Sequence, residues 1–431
     1  MSDTAMARRF PAIDLRNLAG VAELLTLLLP VAFFYSRGLA EALIAGIGLL
    51  FLTKSWRDAD WAWLRAPWMK ASLAWWLWLV FCSAIGVKGV PALLQALGAI
   101  RLMLLAAALG NWVLLAPAPR RRLFLVLSAC AAWLVEQCWQ QYLFGRNFLG
   151  QPPFPVSGAL TGPFSGLPRA GSAYVLFIFP LLLPWAQRIA AYRPKLGPVL
   201  AGAFLAFGVI TMVLIGQRMP IVLMMFGVVL LARLLPETRR LALLALALAA
   251  LAVPATKVIS PTVFAHIVLQ FWDQLSHFTS SDYGMLYIRA IAILNAHPWF
   301  GGGHDAFRTL CSDPTYFKGL NWLGVTDAMV ATRPDACNIH PHQFYLEAAS
   351  AGGYPGLALF AAMTATAVWT LWRAQRIPGQ DATQRLWRTA FLVQIAVAFW
   401  PIAATMDFLS VPSAGWIYLM LGWGLAHSRQ S

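Results

Sequence analysis

About twelve stretches of this chain are apolar over roughly the 20 residues a helix needs to cross a bilayer, and nothing in the sequence constrains the fold more. They lie near 18–36, 38–53, 70–87, 91–116, 123–143, 171–190, 196–216, 219–235, 241–256, 353–373, 387–406 and 411–428. Backbone in hydrocarbon must satisfy its own hydrogen bonds, so such stretches become helices packed side by side. The composition agrees: 60% of residues are hydrophobic and 11% charged, where soluble domains average about 25% charged. Soluble globular, disordered and disulfide-scaffold classes are thereby excluded. The expected fold class is an all-α polytopic membrane protein, with 1–431 forming one integral membrane domain. No cleavable signal peptide is expected, because the first apolar run continues at spanning length behind a polar start.

The net charge of +15 would suggest nucleic acid in a soluble protein. Here it is expected to anchor cytoplasmic loops. With the N-terminus inside and the stretches alternating, every cytoplasmic segment receives a cation. These are Arg8, Arg9 and Arg16; Lys54, Arg57, Arg65 and Lys70; Arg120, Arg121 and Arg122; Arg188, Arg193 and Lys195; Arg233, Arg239 and Arg240; Arg373, Arg376, Arg385 and Arg388; and Arg429. Both termini are then cytoplasmic. The far side holds two longer segments, 144–170 and 257–342. A loop as long as 257–342 is usually functional. Within it, 262–272 is apolar but too short to cross and is expected at the interface or against the bundle. Residues 283–296 are expected to form a helix stopped by His297-Pro298 and the glycines 301–303.

Cys82, Cys130 and Cys138 fall in apolar stretches and read as inert small hydrophobes. Cys311 and Cys337 share the large loop, where a bridge is open but not dictated. The external carboxylates Asp273, Asp282, Asp305, Asp313, Asp327 and Asp335 are mutually non-adjacent. No zinc spacing, nucleophile elbow or phosphate-binding loop occurs, so an external site here is expected to work without metal or cofactor.

Arginine and histidine fall in more telling places. Arg218 directly follows a span, Arg289 lies on the apolar segment 283–296, and Arg169 precedes the sixth span. Each has a bland reading, as a snorkelling or loop charge. Jointly, three guanidiniums converging near the outer leaflet would suit a pyrophosphate. His340 and His342 stand astride Pro341, with Gln343 and Tyr345 following, at the mouth of the tenth span. An imidazole is the group suited to taking a proton near neutrality.

These residues also carry a resemblance. His342-Gln343, nine residues, then Gly353-Tyr354-Pro355-Gly356 resembles the signature of the bacterial O-antigen ligase (WaaL) family, within a superfamily shared with O-antigen polymerases. The run from Arg289 through His297-Pro298 to Phe307, the Gly216-Gln217-Arg218 element and Gly162-Pro163-Phe164 resemble further family segments. His304-Asp305 departs from the pattern. The resemblance implies a metal-independent glycosyltransferase in the Gram-negative inner membrane, active on its periplasmic face. It would move preassembled polysaccharide from undecaprenyl pyrophosphate to a sugar hydroxyl of the lipid A core. His342 is then the catalytic histidine, and Arg218 and Arg289 hold the donor; Arg169 is added on position alone. The expected partners are the lipid-linked polysaccharide, the core oligosaccharide and membrane lipids, with no nucleic acid. Residues 257–342 would be a periplasmic loop contributing to the site. An O-linked protein oligosaccharyltransferase or a polysaccharide polymerase shares the donor and stays open. A polyprenyl-linked sugar transporter fits less well, since no two-half symmetry is visible.

Depth arithmetic adds one expectation. Arg101 in the fourth span and Glu136 in the fifth lie at similar distances from the turn at 117–122. Adjacent antiparallel helices would bring them together as a pair, either fixing the hairpin or orienting Arg101 towards a donor cavity.

Overall fold

The computed structural model describes residues 13–402, 407–411 and 413–429; Arg8 and Arg9 of the expected cytoplasmic set lie outside the described residues. The chain is almost entirely α-helical. Eight described helices are long and apolar enough to cross a membrane: Leu18–Tyr35, Arg37–Arg57, Pro67–Ile85, Val90–Val113, Pro117–Phe144, Leu196–Ile215, Pro236–Ile259 and Phe344–Gln375. The other four apolar stretches are also helical but fall short of that length. Ala170–Val175 and Phe179–Tyr192 are separated just ahead of Pro180, which has no N–H to donate to the Leu176 carbonyl. Arg218–Leu234, Ala382–Ala398 and Ser413–Ser428 run 17, 17 and 16 residues.

Ser413–Ser428 is the centre of the bundle, buried on every side from Ser413 to Ala426. Apolarity alone would equally suit a lipid-facing helix; it is the surrounding helices that bury this one. Its glycines admit close neighbours: a Cβ on Gly422 would lie 3.0 Å from the Cα of Ala106, and one on Gly110 would lie 2.8 Å from Leu425. Small residues let membrane helices approach closely, so Ile100–Ala108 docks on this central helix. Pro117–Phe144 instead packs on Leu18–Tyr35, where Arg122 Nε meets Glu23 Oε1 at 2.5 Å.

That packing overturns the expected Arg101–Glu136 pair. Arg101 Nε meets Glu41 Oε2 at 2.5 Å and Nη1 donates to the Gly98 carbonyl at 2.6 Å, whereas Glu136 is exposed. The two helices do lie next to each other in sequence. Their neighbours, however, were chosen by the fit of small residues rather than by the short turn between them.

Residues 257–342 fold into short helices around two small apolar clusters. The segment 262–272 is helical within Pro261–Ser276, with Val263 and Ile267 buried and Trp272 exposed. Asp282–Ala296 ends at His297, as the sequence predicts, and begins at a Ser281 cap. Cys311 and Cys337 are bridged, with Cα atoms 5.8 Å apart. The glycine turn after His297-Pro298 then docks backbone to backbone on a break in Phe344–Gln375. Gly353 has φ 66° there, its neighbour Tyr354 donates N–H to the Pro298 carbonyl at 2.7 Å, and Gly302 and Gly303 donate to the Ser350 and Ala351 carbonyls, both at 2.9 Å. A Cβ on Gly353 would come within 2.5 Å of that Pro298 carbonyl oxygen. The glycine of the motif is therefore a requirement of backbone approach, and it fixes the loop over the start of the helix that His342 precedes.

Candidate active site

His342 stands in the wall between two cavities. The larger, about 1130 Å³, is the more polar of the two and includes Arg169, Arg101, Glu41, His304 and Asp407 in its lining. The smaller, about 500 Å³, is mainly apolar and includes Arg218, Phe154, Phe271, Tyr283 and Tyr287. His342 lines both, as do Pro168 and Ser172.

Local backbone sets the histidine's aim. His342 has φ 53°, a left-handed conformation uncommon for a residue other than glycine and frequent at functional sites. Its N–H donates to Nδ1 of His340 at 3.3 Å, and the two rings meet edge to face at 4.3 Å. His340 is buried, and burial, then the proximity of His342 and Arg308, pushes its imidazole down to about 3. It is therefore a neutral acceptor that braces its neighbour. Nε2 of His342 lies 3.0 Å from Nδ2 of Asn338, whose Oδ1 already accepts the Ile339 N–H at 2.7 Å. With the amide oriented by that bond, Nδ2 donates and Nε2 carries the lone pair. Tyr283 adds a ring at 5.5 Å; burial holds its phenol above the ordinary value against the pull of Arg218.

Arg218 opens the Arg218–Leu234 helix. Its Nη1 donates to Gln274 Oε1, and Nη2 reaches His266 Nδ1 at 2.9 Å and Gln270 Oε1 at 3.1 Å. Because a guanidinium only donates, His266 must accept at Nδ1, consistent with burial lowering that histidine's pKa. The three partners recur every four residues along Pro261–Ser276, a polar stripe in a segment read from sequence only for its apolar residues. That spacing was the signal missed.

The three arginines expected to converge do so only in part. Arg169 is exposed in the larger cavity and Arg218 lies in the smaller one. Arg289 is in neither. It is fully buried, donates to the Cys311 carbonyl at 2.9 Å, the Arg333 carbonyl at 2.5 Å and Cys337 Sγ at 2.9 Å, and lies 3.8 Å from the Phe317 ring centre. Six residues separate it from Tyr283, which turns it about 120° round the helix, away from His342.

Gln343 caps the Phe344–Gln375 helix by accepting the Leu346 N–H at 2.5 Å and donates to the Pro401 carbonyl at 3.0 Å. Tyr345 donates to the Phe399 carbonyl at 3.0 Å. Both hold the helix that follows His342 and neither lines either cavity. Arg101 does line the larger one, oriented by Glu41; Glu136 does not. His304-Asp305, the departure from the family pattern, is tied in by Lys88, 2.7 Å from Asp305, and by Arg308 at 3.5 Å. Burial lowers the pKa of His304, with Asp407 and Asp305 opposing. Asp407, Glu41 and Lys88 carry no spaced motif, and only packing brings them here. Among the described residues, no three His, Cys, Asp or Glu side chains gather so as to hold a metal ion.

No curated protein matches the chain. Residues 202–361 match the family model described as O-antigen ligase, a stretch that contains Arg218, Arg289, His342 and the Gly353 break but stops short of Arg169. Over that segment, less than half of its length, the chain is similar to the O-antigen ligase family.

Proposed function

We propose that this protein is an O-antigen ligase of the Gram-negative inner membrane. It has about twelve crossings, cytoplasmic termini and a periplasmic site formed in part by 257–342. It transfers preassembled polysaccharide from undecaprenyl pyrophosphate to a sugar hydroxyl of the lipid A core. The observation that carries this reading is the position of His342 in the wall shared by an apolar cavity holding Arg218 and a more polar cavity holding Arg169.

The polyprenyl chain and its pyrophosphate occupy the apolar cavity, with Arg218 on the phosphate oxygens. The N-terminus of the Arg218–Leu234 helix adds its dipole there. The acceptor sugar enters the polar cavity, its hydroxyl displacing Asn338 from Nε2 of His342. As the hydroxyl oxygen bonds to the anomeric carbon, the carbon–oxygen bond to pyrophosphate breaks. The hydroxyl proton passes to Nε2, and undecaprenyl pyrophosphate leaves with the bonding pair, its charge held by Arg218 and Arg169. This direct displacement inverts the anomeric centre. Positive charge comes from guanidinium, so the step needs neither metal nor cofactor. Arg289 acts in this scheme by holding the loop rather than the donor.

Purified protein with lipid-linked polysaccharide and core acceptor tests the scheme. His342→Ala is expected to fold and lose transfer, while His340→Ala, which removes a brace and no reacting group, keeps part of it. Near-normal transfer by His342→Ala refutes the base. A polymerase or a protein-acceptor transferase would share this donor site. Deletion of the gene separates them: loss of long lipopolysaccharide with lipid-linked polymer retained supports the ligase, and loss of glycoprotein alone supports a protein acceptor.

A further inference from the structure

A further cavity of about 310 Å³ lies among the first turn of Pro117–Phe144, the Phe179–Tyr192 helix, the start of Ala382–Ala398 and the last turn of Ser413–Ser428. It is at the end of the bundle opposite His342. Arg388 gathers the helix ends there by donating to the Ala374 carbonyl at 3.3 Å and the His427 carbonyl at 3.2 Å. From Gly353 to Gln375 the intervening helix rises roughly 33 Å.

The lining is rich in donors. Arg120, Arg121 and Arg188 face it, and its carboxylate, Asp381, is already engaged, accepting the Gln384 N–H at 2.8 Å in a capping box. Arg120 and Arg121 sit in the first turn of a 28-residue helix, the end where the helix dipole disfavours cations and favours anions. Arg122 beside them is offset by Glu23. Nη1 of Arg120 is instead buried without a hydrogen-bond partner among the described residues. Trp423 supplies an independent observation. It is fully buried and lines the cavity, yet its Nε1 has no partner among the described residues. An indole N–H can only donate, and leaving it unmet inside a protein is costly. Nε2 of His427, stacked on Trp387 at 4.9 Å, is likewise unmet.

We infer that this pocket binds a phosphate group. Its oxygens accept from Trp423 Nε1 and Arg120, at a helix end whose dipole favours an anion. The phosphate is that of an anionic phospholipid in the adjacent leaflet or of a soluble phosphate; basic pockets between membrane helices suit either.

The test uses the full chain in detergent, measuring lipid retention by native mass spectrometry together with the thermal midpoint. Phosphatidylglycerol, phosphatidylcholine and inorganic phosphate are added separately. Phosphatidylglycerol is expected to be retained and to raise the midpoint, with phosphatidylcholine inert. Trp423→Phe, which keeps the ring and removes one N–H, and Arg120→Gln are each expected to weaken retention roughly tenfold. Arg376→Gln, whose guanidinium stacks on Trp372 outside the pocket, leaves it unchanged. An effect of inorganic phosphate lost in the same variants assigns a soluble ligand; an effect of phosphatidylglycerol alone assigns the lipid. Equal retention of both lipids without a phosphate effect, or unaltered binding by Trp423→Phe, overturns the inference. Trp423→Phe decides the matter even if Arg120→Gln fails to fold.

Discussion

Replacing Arg289 separates a scaffold from a substrate clamp. Arg289→Met keeps an unbranched apolar stem of similar length and removes the guanidinium. The buried Cys311 and Arg333 carbonyls, now contacted at 2.9 and 2.5 Å, would lose their donor. Hydrogen bonds from a charged group contribute about 1.5–3 kcal/mol each, and the guanidinium face on Phe317 at 3.8 Å adds about 1 kcal/mol. Against this, burial already lowers the pKa of Arg289, so its removal also relieves a desolvation cost. The net loss is about 3 kcal/mol, concentrated in 257–342. At about 2 °C per kcal/mol for a chain of this size, the midpoint should fall roughly 6 °C. Protease sensitivity of the loop should rise, and Cys311 and Cys337 should become reducible under milder conditions. Arg289→Lys, able to reach one carbonyl, should fall between. If either variant keeps the wild-type midpoint and loop resistance yet fails to bind lipid-linked donor, Arg289 is a donor ligand and the scaffold assignment is wrong.

Four further outcomes are expected. Gly353→Ala should cost about 3 kcal/mol or more, because it combines φ 66° with a 2.5 Å approach to the Pro298 carbonyl oxygen. Gly379→Ala, with φ +76° but open space, should cost only about 1 kcal/mol, and equal yields of folded protein would contradict this. Glu41→Ala should destabilise by about 1–3 kcal/mol by stripping Arg101 of its partner, while Glu136→Ala stays within about 0.5 kcal/mol; the reverse order in thermal melts would restore the rejected pair. His340, held at about 3 when folded against about 6.5 unfolded, takes its proton first in the unfolded chain. Its contribution is complete above pH 6.5 and is lost as pH falls towards 3, by about 2 kcal/mol at pH 5. His340→Gln should flatten that slope, and parallel slopes for the two proteins would argue against it. Arg218→Lys should lose most transfer despite keeping its charge, since a point charge cannot serve two phosphate oxygens as a planar fork does; normal turnover would remove Arg218 from the donor site.

The sequence by itself determined the helical membrane class, the places of the helices and which residues to look at as a candidate site. Hydropathy over about 20 residues is a one-dimensional property, so it survives being read along a string. The same is true of the stop at His297-Pro298 and the spacing that singles out His342 and Gly353. Rotation about a helix axis and the choice of neighbours are not one-dimensional. Depth put Arg101 level with Glu136, but the fit of Gly422 against Ala106 decided that Arg101 would face Glu41. The apolar surroundings of Arg289 announced that it needed partners; a turn of about 120° from Tyr283 decided that these would be loop carbonyls rather than a phosphate. His266, Gln270 and Gln274 became a cage for Arg218 only once Pro261–Ser276 lay across the start of its helix. Sequence spacing fixes which residues share a face, and only packing fixes what that face meets.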